Sequence, residues 1–376
     1  MSPRSVRTQV LVINPREPEA DAVAAAAAIL SRGGLVAFPT ETVYGLGAAA
    51  LDAEAVRQIF AAKGRPATNP LIVHVSSVAM ARELVTRWPP LADALAAAFW
   101  PGPLTLVLPK AQRVPDVVTA GAPTVALRMP QHPVALALLR ASGVPIAAPS
   151  ANRSTRISPT RVQHVLKDLS GLVDMILDGG PTSGGIESTV LDLTDSPPRI
   201  LRPGLVSPEM LRPLVGAVAV SDRTTPAGEG PERSPGRVGR HYAPRVPLEC
   251  TVERGDARVA ALTAQGAHIG WLTLAPGEAE PSSSQPSGRP SIAAGPETPT
   301  APRAGQRRGV PAGRVTHLEL PVDPAAYAAG LYAALHELES AGVARIVVEL
   351  PPDTEEWLAV RDRLLRAAVP PTDQPL

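Results

Sequence analysis

The chain has 376 residues, which predicts two domains rather than a single hydrophobic core. Its net charge of +1 argues against a basic surface for nucleic acid, and its aromatic content of 3% argues against a stacking platform for single strands. A single cysteine, Cys250, excludes an internal disulfide and a multi-thiolate metal site. No apolar run is long enough to cross a membrane, and the first 14 residues show no signal-peptide pattern, so we expect a cytoplasmic protein.

The chain opens with a helix that leads into a buried strand. The helix is predicted over 18–31, and the strand over 35–38 is ended by Pro39, which has no N–H to donate to a sheet. The polar residues 39–47 follow directly and are predicted to form a loop. Open α/β sheets bind ligands at such loops, beyond the ends of their strands.

Strands and helices then alternate as far as residue 204. Asp52 is expected to cap the next helix, and Gly64 to end it. Further helices are predicted to begin at Ser76 or Ser77 and to cover 91–99, 133–141 and 160–169. Further strands are predicted over 71–75, 104–108, 124–129, 144–148, 172–177, 187–193 and 199–204. Several consecutive strands have no helix between them, so the pattern predicts a mixed sheet within an α/β fold.

A second α/β pattern follows a change in composition. We predict a first domain over 1–220, a linker over 221–246 and a smaller domain over 247–376. Within the second domain, 276–313 is rich in Pro, Gly and Ser and is a predicted disordered insertion. The predicted helices are 256–264, 324–340 and 354–367, and the predicted strands are 268–274, 315–320 and 344–350.

Common catalytic motifs are incomplete or missing. Gly45 and Gly47 supply half of a dinucleotide fingerprint, but Ala50 occupies the third glycine position. The segment around Lys63 does not match a Walker loop, and the sequence contains neither a G-x-S-x-G elbow nor an H-E-x-x-H pair. We therefore expect no metal held by protein ligands.

Small hydroxyls, amides and basic side chains recur at the ends of the predicted strands. Lys63 and Arg65 suggest an anion site, although cations also suit a solvated helix end. For single residues the alternatives stay open: His74 as a core histidine, Arg128 and Arg202 as surface ion pairs, Ser158 as a helix cap. Their recurrence favours a phosphate-rich ligand beside a small zwitterion. The residues concerned are Thr40, Thr42, Tyr44, Lys63, Arg65, Asn69, His74, Thr124, Arg128, Ser150, Asn152, Ser158, Ser188 and Arg202.

Several motifs, in order, resemble those of the threonylcarbamoyl-AMP synthase family in its long two-domain form, with a YrdC-like catalytic domain. They are PTETVYGLG (39–47), KGRP (63–66), NPLIVH (69–74), WPGPLT (100–105), VALRMP (125–130), APSAN (148–152), GIESTV (185–190), ILRPG (200–204), SPG (234–236) and HYAP (241–244). The resemblance implies a YrdC-like twisted mixed sheet with flanking helices, followed by a smaller Rossmann-like α/β domain. It departs from the family at Thr155, where glycine is usual, at 182–183 and at 237–240.

The resemblance also implies an activity. Members form L-threonylcarbamoyladenylate and pyrophosphate from L-threonine, bicarbonate and ATP, with Mg²⁺ carried by the ATP. The product passes to a downstream tRNA threonylcarbamoyl-transferase machinery that modifies tRNA next to the anticodon. Contact of this protein with tRNA itself is possible but weak. The alternative is a non-catalytic RNA- or nucleotide-binding regulator on the same fold.

Site residues carried over by motif fall into three sets. Lys63 and Arg65 are the implied catalytic cations. L-threonine would be held by Thr42, His74, Arg128, Ala148 and Ser188. ATP would be held by Arg65, Asn69, Thr124, Ser150, Ser158, Arg202 and Tyr242. The linker is then predicted to be a lid that closes through Tyr242 and excludes water.

Overall fold

The computed structural model describes residues 5–221, 241–252, 255–275 and 314–370. The first domain comprises β1 (Gln9–Val12), α1 (Ala20–Ser31), β2 (Val36–Phe38), β3 (Gly45–Ala49), α2 (Ala53–Lys63), β4 (Ile72–His74), α3 (Val78–Arg82), α4 (Pro90–Phe99), β5 (Leu104–Pro109), α5 (Asp116–Thr119), β6 (Thr124–Arg128), α6 (Pro133–Ser142), β7 (Ile146–Ala147), α7 (Val162–Leu169), β8 (Met175–Asp178), β9 (Thr189–Asp192), β10 (Arg199–Arg202), α8 (Pro208–Val215) and β11 (Ala219–Val220). The second comprises β12 (Leu248–Thr251), α9 (Gly255–Ala264), β13 (Ile269–Leu274), β14 (Val315–Leu320), α10 (Pro324–Ser340), β15 (Arg345–Glu349), a 3₁₀ turn (Glu355–Trp357) and α11 (Leu358–Ala367).

Each domain is built on one sheet. In the first, 11 strands lie in the order β1-β8-β2-β3-β7-β4-β6-β5-β9-β10-β11. The sheet contains both parallel pairs such as β4–β6 and antiparallel pairs such as β3–β7, which confirms the predicted mixed sheet. The second sheet has four parallel strands in the order β12-β15-β13-β14, which confirms a smaller α/β domain.

Helix boundaries that were predicted from a capping side chain or a glycine are confirmed. The Asp52 carboxylate accepts hydrogen bonds from the backbone N–H of Glu54 at 2.9 Å and of Ala55 at 3.1 Å, at the start of α2. Gly64 ends α2 in the left-handed region, at φ +61°, where a side chain would be strained. The second domain's long helix α10 covers the predicted residues 324–340.

Two local predictions are wrong. Residues 45–47 are not loop but the start of β3, which pairs antiparallel with β2. A Cβ at Gly47 would lie 2.8 Å from side-chain atoms of Ile146 and of Phe38, so the glycine marks a tightly packed strand rather than a turn. The helix predicted over 160–169 begins two residues later, since α7 starts at Val162 with Arg161 at its N-cap, so the alternative of Ser158 as a helix cap does not hold.

Apolar packing joins the two domains beside the polar loops of the first. Val43 and Ile186 of the first domain share one buried cluster with Tyr242, and with Tyr332 and Leu331 of α10. The predicted insertion 276–313, and 222–240 of the predicted linker, lie outside the described residues. In the ranges that the structure does describe, no helix has the length and apolarity needed to cross a membrane.

Candidate active site

A cavity lies where the ends of central strands meet the linker. Its wall combines residues from the β2–β3 connection, the loop after α2, the ends of β4 and β6, the loop after β7, the segment before β9, the end of β10 and the chain entering the second domain. The lining residues are Thr40, Thr42, Val43, Gly45, Arg65, Ile72, His74, Arg128, Ala148, Pro149, Ser150, Glu187, Ser188, Arg202, His241 and Tyr242.

All five residues predicted to hold threonine line this cavity: Thr42, His74, Arg128, Ala148 and Ser188. The register of β4 and β6 pairs His74 with Arg128, so both side chains belong to neighbouring positions of one sheet. Arg128 Nη1 donates to Thr42 Oγ1 at 3.0 Å, which ties the β2–β3 connection to β6. Three of the five therefore form one contiguous group.

His74 is a neutral imidazole in this environment. Burial lowers the pKa of His74 to about 3, and the positive charge of Arg128 acts in the same direction. His74 Nδ1 is buried and has no hydrogen-bond partner among the described residues. A buried polar atom of this kind is a candidate contact for a ligand.

Arg128 already has one carboxylate partner. Glu41 Oε1 lies 2.6 Å from Arg128 Nη2, and both side chains are almost fully buried. Arg128 Nε donates to the carbonyl of Gly102 at 3.1 Å, which fixes the plane of the guanidinium. A zwitterion's carboxylate bound here would therefore meet an oriented guanidinium, with Glu41 as a second carboxylate beside it.

Arg202 and Ser188 form the next group in the wall. Arg202 donates from Nη2 to Ser188 Oγ at 3.2 Å and from Nε to the Ser188 carbonyl at 3.1 Å. The Ser188 hydroxyl also lies 2.8 Å from the Thr105 hydroxyl on β5. These contacts fix the segment before β9 against the end of β10.

Arg65 follows the left-handed end of α2 and is held by the loop after it. It donates from Nη2 to Asn69 Oδ1 at 2.5 Å and from Nε to the Asn69 carbonyl at 3.0 Å. Asn69, a predicted ATP contact, does not line the cavity. It contacts Arg65, which does. Arg65 and Arg202 bring two cations to the same cavity, an arrangement suited to an anion such as a phosphate chain.

Lys63 lies behind the wall rather than in it. Its Nζ donates to the carbonyl of Ser150 at 2.5 Å and to the carbonyl of Asn152. Burial, followed by the charge of Arg65, holds the pKa of Lys63 well below its ordinary value. Through these two hydrogen bonds Lys63 supports the loop that carries Ala148 and Ser150.

Two other predicted ATP contacts also lie outside the lining set. Ser158 donates from Oγ to Glu187 Oε1 at 2.5 Å. Thr124 begins β6, and its buried Oγ1 has no hydrogen-bond partner among the described residues. An ATP contact from Ser158 or from Thr124 therefore stays a prediction.

The linker contributes Tyr242 to the wall in a strained conformation. Tyr242 is buried with φ +60°, in the left-handed region that favours glycine. The backbone of the next residue is fixed by a 2.9 Å hydrogen bond from Ala243 N to the Thr155 carbonyl. Thr155 has φ +70°, a left-handed conformation that favours glycine over a β-branched residue.

Sequence reasoning missed several lining residues, above all Glu187 and His241. Both lie inside quoted motifs, 185–190 and 241–244, so the signal was present but attributed to their neighbours Ser188 and Tyr242. His241 is neutral, because burial lowers its pKa to about 3. Within the described ranges, no group of three His, Cys, Asp or Glu side chains is arranged to hold a metal ion.

Fold and cavity together define a two-domain α/β protein whose pocket joins three arginines with two neutral histidines and small hydroxyls. Comparison with known proteins agrees with this class. A family model described as "Telomere recombination" (Sua5_yciO_yrdC) matches residues 28–204, and one described as "Threonylcarbamoyl-AMP synthase, C-terminal domain" matches 206–369.

Similar proteins extend over nearly the whole chain. The threonylcarbamoyl-AMP synthase of Bacillus subtilis is 42% identical over 353 residues, 92% of each chain, and that of Pyrococcus abyssi is 50% identical over 235 residues, 62% of this chain and 69% of the relative. The crystal structure of P. abyssi Sua5 complexed with L-threonine superposes with a TM-score of 0.81 at 37% identity, covering 96% of this chain and 98% of the other. The chain belongs to the threonylcarbamoyl-AMP synthase family in its two-domain form, as its motifs predicted.

Proposed function

We propose that this protein synthesises L-threonylcarbamoyladenylate from L-threonine, bicarbonate and ATP, with release of pyrophosphate. The observation that carries the proposal is the meeting of two residue groups in one cavity. Thr42, His74 and Arg128 suit a small zwitterion, and Arg65 and Arg202 suit a phosphate chain. The curated relatives are named for this product, and a solved relative binds L-threonine.

The residues fit a reaction that needs orientation more than a protein nucleophile. The threonine amine would take up CO₂, derived from bicarbonate, as a carbamate, and a carbamate oxygen would attack the α-phosphorus of ATP while pyrophosphate leaves. ATP would enter as its magnesium complex, in which the metal neutralises part of the phosphate charge. The contribution of the protein is then to hold both substrates in line and to place arginines on the phosphates.

Threonine recognition is proposed to centre on Arg128 and His74. The guanidinium of Arg128 would pair with the carboxylate of threonine. The neutral His74 would offer Nδ1 for a hydrogen bond, and it adds no positive charge to repel the amine. ATP would be held by Arg65, Ser150, Arg202 and Tyr242, with Asn69, Thr124 and Ser158 as predicted supporting contacts.

The product would pass to a downstream tRNA threonylcarbamoyl-transferase machinery, and a cytoplasmic setting belongs to the same proposal. The described cavity offers nothing that favours the alternative of a non-catalytic RNA- or nucleotide-binding regulator. Such a protein would need no buried group for a zwitterion.

The test is pyrophosphate release from ATP, with L-threonine and bicarbonate omitted in turn. We expect release to require both, and Arg65→Ala to reduce kcat/KM by more than about tenfold, because an arginine–phosphate contact contributes more than about 1.4 kcal/mol. Arg57→Ala is the matched control, because Arg57 lies on the exposed side of α2, where it pairs with Glu54. ATP binding without pyrophosphate release would overturn the proposal in favour of a regulator.

A further inference from the structure

Glu187, the carboxylate that sequence reasoning passed over, is held by the second domain. Its Oε2 accepts from Arg363 Nε at 2.7 Å and from Tyr332 Oη at 3.0 Å, and its Oε1 accepts from Ser158 Oγ at 2.5 Å. Arg363 lies on α11 and Tyr332 on α10, whereas Glu187 lines the cavity of the first domain. All these side chains are buried.

Arg363 contacts two more parts of the cavity wall. Its Nη2 donates to the carbonyl of Pro203 at 2.9 Å, one residue after Arg202. Its guanidinium carbon lies 5.0 Å from the centre of the Tyr242 ring, which also stacks on Tyr332 at 5.9 Å between ring centres. One side chain of the second domain therefore contacts the segments that present Glu187, Arg202 and Tyr242 to the cavity.

The negative charge of Glu187 would oppose the binding of an anion unless a cation such as Arg363 paired with it. An unpaired carboxylate in the wall would repel the phosphates of ATP. Burial alone would raise the pKa of Glu187, but Arg363 and Arg202 overcome that effect and hold it at about 2, so the carboxylate is ionised and must be neutralised locally. Arg363 pairs directly with Glu187 and also, through Nη1, with Asp362 at 2.8 Å. Arg202 acts on Glu187 through its charge, while it donates hydrogen bonds to Ser188.

We propose that Arg363 and Tyr332 are positioning residues for the reaction. By fixing Glu187 they set the positions of Ser188, Arg202 and Tyr242, which makes the second domain a structural part of the active site rather than an appendage. This inference rests on the proposed function for its kinetic readout. It assigns to α10 and α11 a role in substrate geometry that is distinct from joining the domains.

A purely structural role predicts a different result, and a matched control exists. Arg212 of α8 and Glu355 of the 3₁₀ turn form another ion pair between the domains, but both are half-exposed and neither lines the cavity. If Arg363 only joined the domains, its loss would lower the melting temperature while the folded protein kept its kcat and KM. Arg212→Met is expected to leave binding and turnover unchanged.

The test uses the full chain, with titration calorimetry of L-threonine and of ATP beside the pyrophosphate assay at 25 °C. We expect Arg363→Met to lower kcat/KM by about 50-fold or more, and Tyr332→Phe, which keeps the ring, by about fivefold or more. The double variant Glu187→Gln/Arg363→Met should lose no more than about the larger of its two single losses, because the pair acts as a unit. Tyr332→Phe decides the question if Arg363→Met does not fold.

Wild-type affinities and turnover in Tyr332→Phe, or additive losses in the double variant, would overturn the inference. A wild-type chain that binds both ligands but releases no pyrophosphate would overturn the proposed function instead. The calorimetric comparison would still decide whether Arg363 and Tyr332 shape the site, with at least about threefold weaker binding in the variants expected. A wild-type chain that binds neither ligand would overturn both.

Discussion

His74 and Arg128 are register partners on the adjacent parallel strands β4 and β6, at the point where both strands end in the cavity. The pairing places a neutral imidazole beside a guanidinium that Glu41 and Thr42 already orient. A sheet thus fixes the proposed threonine contacts more firmly than a loop would. The arrangement shows how strand ends could orient a small substrate for reaction, with no covalent bond to the protein.

Arg128→Lys is predicted to weaken recognition of threonine selectively. Lysine keeps the charge beside Glu41, so no buried carboxylate is left unpaired, but it loses the planar fork that matches a carboxylate. We expect the KM for L-threonine to rise by about tenfold or more while the dissociation constant of ATP changes by less than about threefold.

Steady-state kinetics and calorimetry on the purified variant measure both values. Arg199→Lys is the control, because Arg199 is a partly exposed residue paired with Asp195. Equal effects on both substrates would show that Arg128 supports the fold of the cavity rather than threonine binding.

Lys63→Met is predicted to impair both substrates together. Removing Nζ leaves the partly buried carbonyl of Ser150 and the buried carbonyl of Asn152 without their hydrogen-bond donor, and each such loss is worth about 1–3 kcal/mol. The loop that carries Ala148 and Ser150 should then shift, so kcat/KM should fall by more than about tenfold for threonine and for ATP alike.

The same kinetic assay applied to Lys110→Met supplies the control, since Lys110 pairs with Asp116 away from the cavity. A fall confined to ATP would indicate that Lys63 contacts the phosphates directly and that its bracing role is secondary.

Acidification is predicted to destabilise the protein through its buried histidines. His74 has a folded pKa of about 3 against an ordinary value of 6.5, so between pH 6.5 and pH 3 the unfolded chain binds a proton that the folded chain does not. Stability from this residue is complete above pH 6.5 and is lost as the pH falls, by about 2 kcal/mol at pH 5.

Differential scanning calorimetry at pH 7 and at pH 5 checks this prediction. The drop in melting temperature between the two values should be smaller in His74→Gln than in the wild type. An unchanged drop would mean that His74 is protonated in the folded protein.

Thr155→Gly is predicted to stabilise the protein. A β-branched residue at φ +70° is strained by about 1–2 kcal/mol, and glycine removes that strain at the expense of about 0.5–1 kcal/mol of backbone entropy. The Thr155 side chain is exposed, and its backbone carbonyl, which accepts from Ala243, is retained.

A rise in melting temperature of a few degrees is therefore expected, whereas Thr86→Gly should lower it, because Thr86 is an exposed threonine that does not have a positive φ. A lower melting temperature in Thr155→Gly would mean that the threonine is not strained.

Local signals in the sequence predicted much of the fold. The Asp52 cap, Gly64 and the span of α10 depend on neighbouring residues, so pattern alone was sufficient. The strand β3 was missed because its two glycines resemble a turn, although close packing against Phe38 and Ile146 requires glycine at position 47.

The site divides in the same way. The lining residues Thr42, His74, Arg128 and Ser188 belong to motifs that the sequence displays. The contacts from Arg363 to Glu187 join residues 176 positions apart, and no local pattern announces them. Burial and charge pairing between domains appear only when the chain is folded.

The most direct test of the account follows one labelled carbon into the product. The purified protein would be incubated with ATP, L-threonine and ¹³C-bicarbonate, and the mixture quenched and analysed by mass spectrometry. We expect a compound that contains threonine, AMP and one heavy carbon, formed in step with pyrophosphate and missing when threonine is omitted. Pyrophosphate formed without this labelled adduct, or no pyrophosphate from a protein that binds both substrates, would contradict it.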